Sequence, residues 1–205
     1  MHPKVKICGM KNAETIKTAI DHKVDFLGFV FYPDSPRNLT PKQAAKLTKD
    51  IPNHIGKVAV LVNETDQFIE YIKNDFDYFQ LHGNEDLKRI KEIRQKFNKK
   101  IIKVIKVTNE DNAKTFKEFE EEADMLLFDS PAMEKSSQFS WQILSKLKIT
   151  KPYLIAGGIN IDNVDEALKL NPFGIDVSSG VEKSLGLKSN EKIIKFLNKI
   201  KNVKN

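Results

Sequence analysis

The chain has 205 residues, with 34 Lys and Arg against 28 Asp and Glu for a formal charge of +6, and a single cysteine. One domain over residues 1–205 is expected, large enough to bury roughly 70% of its unfolded surface, and the lone thiol excludes an internal disulfide, as suits a reducing, cytoplasmic setting. The charge does not imply a nucleic-acid partner: the basic residues are lysines spread among acids, and Arg37, Arg89 and Arg94 are the only arginines available for the bidentate contacts such sites use.

From the N-terminus, Val5–Cys8 reads as a short strand and Ala13–His22 as an amphipathic helix. Strand Phe26–Phe31 leads to helix Pro41–Lys49, opened by Thr40 as N-cap with proline at N1. Strand Lys57–Val62 leads to helix Glu64–Asn74, where Asn63-Glu64-Thr65-Asp66 sets a capping residue and acids at the positive end of the macrodipole. The pattern continues with strand Tyr78–Leu81 and helix Asp86–Asn98, strand Ile101–Val107 and helix Ala113–Glu122, and strand Met125–Asp129 and helix Trp141–Lys148. It closes with strand Tyr153–Ala156, helix Ile161–Leu170 flanked by Asn160 and Asn163, strand Gly174–Ser178 and helix Glu191–Lys201. In that last helix Ile193, Ile194, Leu197 and Ile200 recur with helical spacing and should bury one stripe.

Most of these strands are β-branched or aromatic with little polar alternation, as parallel strands buried on both faces are. Eight strict alternations of strand and helix predict an α/β fold, a single (β/α)8 TIM barrel. The rival, an open doubly wound sheet, wants a G-x-G-x-x-G first turn. Here that turn is Cys8-Gly9-Met10-Lys11-Asn12, and the glycines follow the seventh and eighth strands instead. No membrane partner is expected: the longest apolar run, Phe26–Tyr32, is too short to span a bilayer, and Met1–Lys6 lacks the apolar stretch of a signal peptide.

Active sites of such barrels lie at the strand C-termini, so the residues standing there are the candidates. Cys8 ends the first strand. A buried cysteine is usually an inert small hydrophobe, but the helix starting near Asn12 can lower a thiol pKa and make a base or nucleophile. Asp129 closes the apolar Met125-Leu126-Leu127-Phe128 strand. Burial there would raise its pKa toward that of a proton donor, and a local cap is the bland reading. Gly157 and Gly158, with Ser179, Gly180 and Val181, can present backbone N–H groups at helix N-termini to a phosphate. Arg37 sits in a proline-rigid turn with a fork suited to a carboxylate, and His82 is either a structural residue or a substrate contact. His2, His22, His54 and His82 show no metal-ligand spacing.

Taken together, Lys6-Ile7-Cys8-Gly9-Met10, Gly28-Phe29-Val30-Phe31 leading to Ser35-Pro36-Arg37, Gln80-Leu81-His82-Gly83, Ala156-Gly157-Gly158-Ile159 and Asp176-Val177-Ser178-Ser179-Gly180-Val181-Glu182 resemble the phosphoribosylanthranilate isomerases of tryptophan biosynthesis. The resemblance runs from Lys4 to about Leu197. It implies an Amadori rearrangement of a small phosphorylated substrate with no cofactor and no metal. A monomer or homodimer is expected, and the sequence does not reveal which. Asp129 maps onto the acid and Cys8 onto the base. Arg37 matches the residue that holds the anthranilate carboxylate, and Asp176 a pocket aspartate that orients the amine. Gly157, Gly158, Ser179, Gly180 and Val181 match the phosphate cradle. One departure stands out: the segment after Asp129, Ser130–Ser140, contains no glycine where the family carries a glycine-rich mobile loop, and Ser140 and Ser189 replace aspartates at plausible helix caps. Two alternatives stay open. An indole-glycerol-phosphate synthase would call for a lysine and glutamates at strand ends, and a non-catalytic phosphate-binding barrel would leave Cys8 and Asp129 without a task.

Overall fold

In the computed structural model, which describes residues 2–129 and 141–202, eight strands pair in parallel in chain order and the last returns to the first, closing a barrel. They are β1 (Lys4–Cys8), β2 (Phe26–Phe31), β3 (Gly56–Leu61), β4 (Tyr78–Leu81), β5 (Lys100–Lys106), β6 (Met125–Asp129), β7 (Tyr153–Ala156) and β8 (Gly174–Val177). β2, β4, β6 and β7 have the predicted bounds. β1 and β8 differ by one residue at one end, and β3 and β5 by one residue at both ends, where the partner's register decides pairing rather than local propensity. Around them lie helices α1 (Ala13–Asp21), α2 (Pro41–Thr48), α3 (Asp66–Ile72), α4 (Leu87–Phe97), α5 (Glu110–Lys114), α6 (Phe116–Phe119), α7 (Val164–Leu168) and α8 (Asn190–Lys201).

Side-chain alternation along each strand separates two apolar cores. Ile7, Leu27, Phe29, Leu61, Phe79 and Phe128 join one cluster with helix residues such as Ile16, Ile69, Ile93 and Leu197. Phe26, Val58, Ile102, Leu127 and Leu154 form a second cluster inside the barrel. Cys8, Val30 and Val60 make a smaller one, farther along their strands. A fully buried Leu, Ile or Phe stabilises the fold by ~1.5–3 kcal/mol, so each helix needs only a narrow stripe. α8 supplies Ile193, Phe196, Leu197 and Ile200 and lies beside α1, which accounts for its apolar face. Among the described residues no helix is long and apolar enough to cross a membrane.

Several helices depart from the sequence expectation. The stretch Ala113–Glu122 begins earlier and splits into α5 and α6 at Thr115, whose hydroxyl donates to the Asn112 carbonyl at 2.7 Å and so competes with the helical ladder. Trp141–Lys146 is a 3₁₀ helix. α7 starts only at Val164, because Asn163 Oδ1 turns back to accept the Asn160 N–H at 2.8 Å. α3 is capped by Thr65 rather than Asn63, which takes a left-handed φ of 53°. Thr40 forms the expected cap with Gln43, and Ser189 caps α8. A short antiparallel hairpin, β9 (Glu182–Ser184) with β10 (Leu187–Lys188), follows β8. Strands of two and three residues carry no readable alternation. The glycine-free segment and the proposed Ser140 cap lie outside the described residues.

Within the barrel, β1 and β2 set Cys8 opposite Gly28, and β1 and β8 set Lys6 opposite Asp176. A Cβ on Gly28 would lie 3.0 Å from Cys8 Sγ and 3.2 Å from Lys6 Nζ. Glycine therefore leaves the room in which an ammonium and a thiol coexist inside a packed barrel. Gly28→Ala should cost ~1–3 kcal/mol through overpacking, read as a lower urea midpoint at unchanged m-value. An unaltered midpoint would show that the interior has slack at this position.

Candidate active site

The C-terminal strand ends enclose a cavity of about 320 Å³ lined by Cys8, Arg37, Gln80, His82, Asp129, Gly157, Gly158, Asp176, Ser178 and Ser179, with Val30, Val60 and Leu127 among its apolar walls. Eight of the ten residues that the sequence singled out as a site therefore face one space: Cys8, Arg37, His82, Asp129, Gly157, Gly158, Asp176 and Ser179. Gly180 and Val181 are not among the residues that line it. Val181 is fully buried, and its N–H turns back to the Ser178 carbonyl at 3.4 Å. Toward the N-terminal strand ends lies a smaller recess of about 180 Å³ around His2, Lys4, Lys23 and Asp25, where Lys4 and Asp25 already pair at 2.7 Å.

At the cavity floor Lys6 Nζ donates to both oxygens of Asp176 at 3.0 Å. Lys6 has no exposure and Asp176 is 8% exposed. Burial alone would lower the lysine pKa, but the charge of Asp176, with a smaller contribution from Cys8, holds it above its usual range. Burial pushes the Asp176 carboxyl up, and Lys6 pulls it back. Both carboxylate oxygens thus accept from one ammonium, a charge-assisted contact. Burial also pushes the Cys8 thiol up, opposed chiefly by the neighbouring Lys6 charge. This corrects the expectation of a thiol tuned by a helix: the first-turn N–H groups of α1 are satisfied by the Asn12 side chain, and the cation beside the sulfur is Lys6.

Asp129 differs from expectation in another way. Its carboxylate is 26% exposed rather than buried, and His82 Nε2 lies 3.5 Å from Oδ2. Gln80 holds the other side of that imidazole, with Nε2 3.4 Å from His82 Nδ1. The Gln80 carbonyl oxygen is buried at the cavity wall without a partner among the described residues, so it can accept a hydrogen bond from a bound hydroxyl.

Arg37 is clamped. Its Nε and Nη2 donate to the two oxygens of Glu182 at 2.7 and 2.8 Å, which leaves Nη1 for a ligand. Lys188 Nζ donates to Glu182 Oε1 at 2.9 Å and to the Ser178 carbonyl at 3.0 Å, and the Ser178 hydroxyl donates to the Cys8 carbonyl at 3.1 Å. One polar chain thus ties the Arg37 turn, the β9–β10 hairpin and the end of β1.

Two glycine-rich turns follow β7 and β8. Gly157 and Gly158 have φ of 86° and 64°, and a Cβ on Gly180 would fall 2.1 Å from the Ile159 carbonyl. Only glycine lets the turns after β7 and β8 pack directly on each other. Gly157–Asn160 does not open a helix as expected, since α7 begins later, whereas Ser179–Val181 forms a 3₁₀ turn. Among the described residues the N–H groups of Gly158, Ser179 and Gly180 have no acceptor, so the bare amides come from turns and make a concavity suited to an anion. No group of three or more His, Cys, Asp or Glu among the described residues is placed to hold a metal ion.

Lys6, Gln80, Glu182 and Lys188 were not picked out as site residues from sequence. Lys6 and Gln80 do carry a signal, since each is a polar residue at an inward position of an apolar strand.

A family model described as N-(5'-phosphoribosyl)anthranilate isomerase matches residues 5–199. The N-(5'-phosphoribosyl)anthranilate isomerase of Bradyrhizobium diazoefficiens is 36% identical over 203 residues, covering 94% of this chain and 91% of that protein. The crystal structure of phosphoribosyl anthranilate isomerase from Thermotoga maritima superposes with a TM-score of 0.88 at 30% identity, covering 98% of this chain and 100% of that one. A crystal structure of such an isomerase in complex with reduced 1-(o-carboxyphenylamino)-1-deoxyribulose 5-phosphate matches with a TM-score of 0.86 at 30% identity and the same coverage.

Burial would raise the Glu182 carboxyl, but hydrogen bonds from Arg37 and Lys188 bring it down from 4.5 to about 2. A depressed carboxyl stabilises the fold above its unfolded pKa and loses that contribution as pH falls through the folded value. Glu182→Gln should therefore be less stable than the parent chain above pH 4.5, with the difference shrinking toward pH 2. Chemical denaturation at several pH values reads this, and a difference independent of pH would remove Glu182 from the acid transition.

Proposed function

This chain belongs to the N-(5'-phosphoribosyl)anthranilate isomerase family, and we propose that Cys8 and Asp129 carry the two proton transfers of the family's reaction. That reaction is the Amadori rearrangement of N-(5-phosphoribosyl)anthranilate to 1-(2-carboxyphenylamino)-1-deoxyribulose 5-phosphate in tryptophan biosynthesis. The observation that carries the assignment is the convergence of thiol, carboxyl, arginine and bare amides on one cavity.

The substrate phosphate docks on the amides of Gly158 and Ser179, which line the cavity, and its carboxylate on the free edge of Arg37. These anchors stand on separate strand ends, so a substrate held at both has its ribose over the floor. Asp129, in its protonated form, gives its proton to the ribose ring oxygen as the C1–O bond breaks and the nitrogen lone pair forms an iminium. The Cys8 thiolate then takes the C2 proton. The C2–H electrons form the C1=C2 bond, the iminium nitrogen regains its lone pair, and the enaminol tautomerises to the ketone. Asp176 faces the amine, and Gln80 accepts from a sugar hydroxyl. Asp129 regains its proton from solvent between turnovers, with His82 3.5 Å away.

Positioned acids and bases each contribute ~10²–10⁴-fold. Cys8→Ala and Asp129→Asn should therefore each lower kcat by about that factor, while calorimetry still detects binding of the reduced product. A kcat near normal in either variant removes that residue from the mechanism. Complementation of a tryptophan auxotroph lacking this isomerase tests the whole reading, and failure to grow would favour a non-catalytic phosphate-binding barrel.

A further inference from the structure

Among the described charged side chains Lys6 alone has no exposure. It reaches no solvent, yet its ammonium stands between two groups of the site. It donates to both oxygens of Asp176 at 3.0 Å, and it interacts with the Cys8 thiol, two residues along the same inward face of β1. Gly28 on the next strand preserves the arrangement, since a Cβ there would meet Cys8 Sγ and Lys6 Nζ together, at 3.0 and 3.2 Å. One buried cation therefore serves two acidic groups that cannot both be ionised cheaply in a low-dielectric interior.

We propose that Lys6 is a positioning residue whose single charge is shared between Asp176 and Cys8, and that it passes to the Cys8 thiolate when a cationic iminium forms beside Asp176. In the resting site Asp176 claims the ammonium and the sulfur stays protonated. Ring opening places a positive nitrogen against Asp176 and neutralises it from the cavity side. The Lys6 charge is then available to the sulfur, whose proton leaves to water in the cavity that Cys8 lines. The thiolate next takes the C2 proton and returns to thiol, so each turnover restores the resting state. Lys6 thus orders the two proton transfers: the base ionises only after the acid has acted. The order rests on the isomerase reading, but the charge sharing is a property of the ligand-free protein.

The other charges near Cys8 are fixed by their own partners. Lys188 approaches from β10 and is held by Glu182, and Arg37 in turn acts on Lys188. Asp129 on β6 and His82 beyond β4 act on Asp176 and pair with each other.

Cys8 is the only cysteine, so iodoacetamide alkylation of the ligand-free chain across a pH series reports on this thiol alone. Lys6→Met should move the midpoint of reactivity upward by about one pH unit or more, a tenfold loss of thiolate at fixed pH. Asp176→Asn, nearly isosteric, leaves the lysine charge with the sulfur as its one acidic partner, so its midpoint should move downward by a comparable amount. Circular dichroism confirms the fold of each variant, and where Lys6→Met does not fold, Asp176→Asn decides alone. A midpoint unchanged or raised in Asp176→Asn overturns the proposal. Absence of turnover by the parent chain on N-(5-phosphoribosyl)anthranilate would instead overturn the isomerase reading and leave the alkylation result standing.

Discussion

A lysine and an aspartate, both withdrawn from water, face each other across the first and last strands of the barrel at the point where it closes. Burying such a pair is expensive, and breaking it by removing one partner typically costs ~3–5 kcal/mol. A barrel interior filled by aliphatic side chains would be easier to stabilise. The polar floor here is kept at the level where the apolar filling of Phe26, Val58, Leu127 and Leu154 gives way to the cavity, and the pair is electrostatically linked to the groups around it: Lys6 to the Cys8 thiol, and Asp176 to Asp129 and His82.

Around this floor the rim is divided by charge. On one side Arg37, Glu182 and Lys188 form a bonded chain that fixes a cationic edge. On the other, two glycine-rich turns expose amides in direct contact with each other. Under the proposed function, a substrate with a carboxylate at one end and a phosphate at the other would engage both, with its sugar over the cavity that Cys8 and Asp129 line. Binding energy drawn from the two ends is thereby available to orient the reacting carbons. The barrel supplies this because its active rim is assembled from the ends of different strands, each free to vary without disturbing the outer helical core.

Much of this was legible in the residues. Strands such as Phe26–Phe31 and Met125–Asp129 declare themselves because burial on both faces demands continuous apolar, β-branched or aromatic sequence, and their final residues mark the rim. Cys8, Asp129 and the glycine-rich turns follow from that. Lys6 escaped because, in a lysine-rich chain, a lysine reads as solvated surface, and only the register with Asp176 shows otherwise. Glu182 and Lys188 escaped because their hairpin is too short to carry a period. The thiol environment was misread for the same kind of reason: proximity to a helix start was visible in sequence, but its occupation by Asn12 was not.

The spatial arrangement of thiol, carboxyl and anion sites is tested most directly by determining the structure of this chain with the reduced product bound. The phosphate should accept from the Gly158 and Ser179 amides and the carboxylate from Arg37. The C1–C2 unit should lie between Cys8 Sγ and Asp129, with the amine on Asp176. A phosphate seated elsewhere, or a sulfur out of reach of C2, would contradict it.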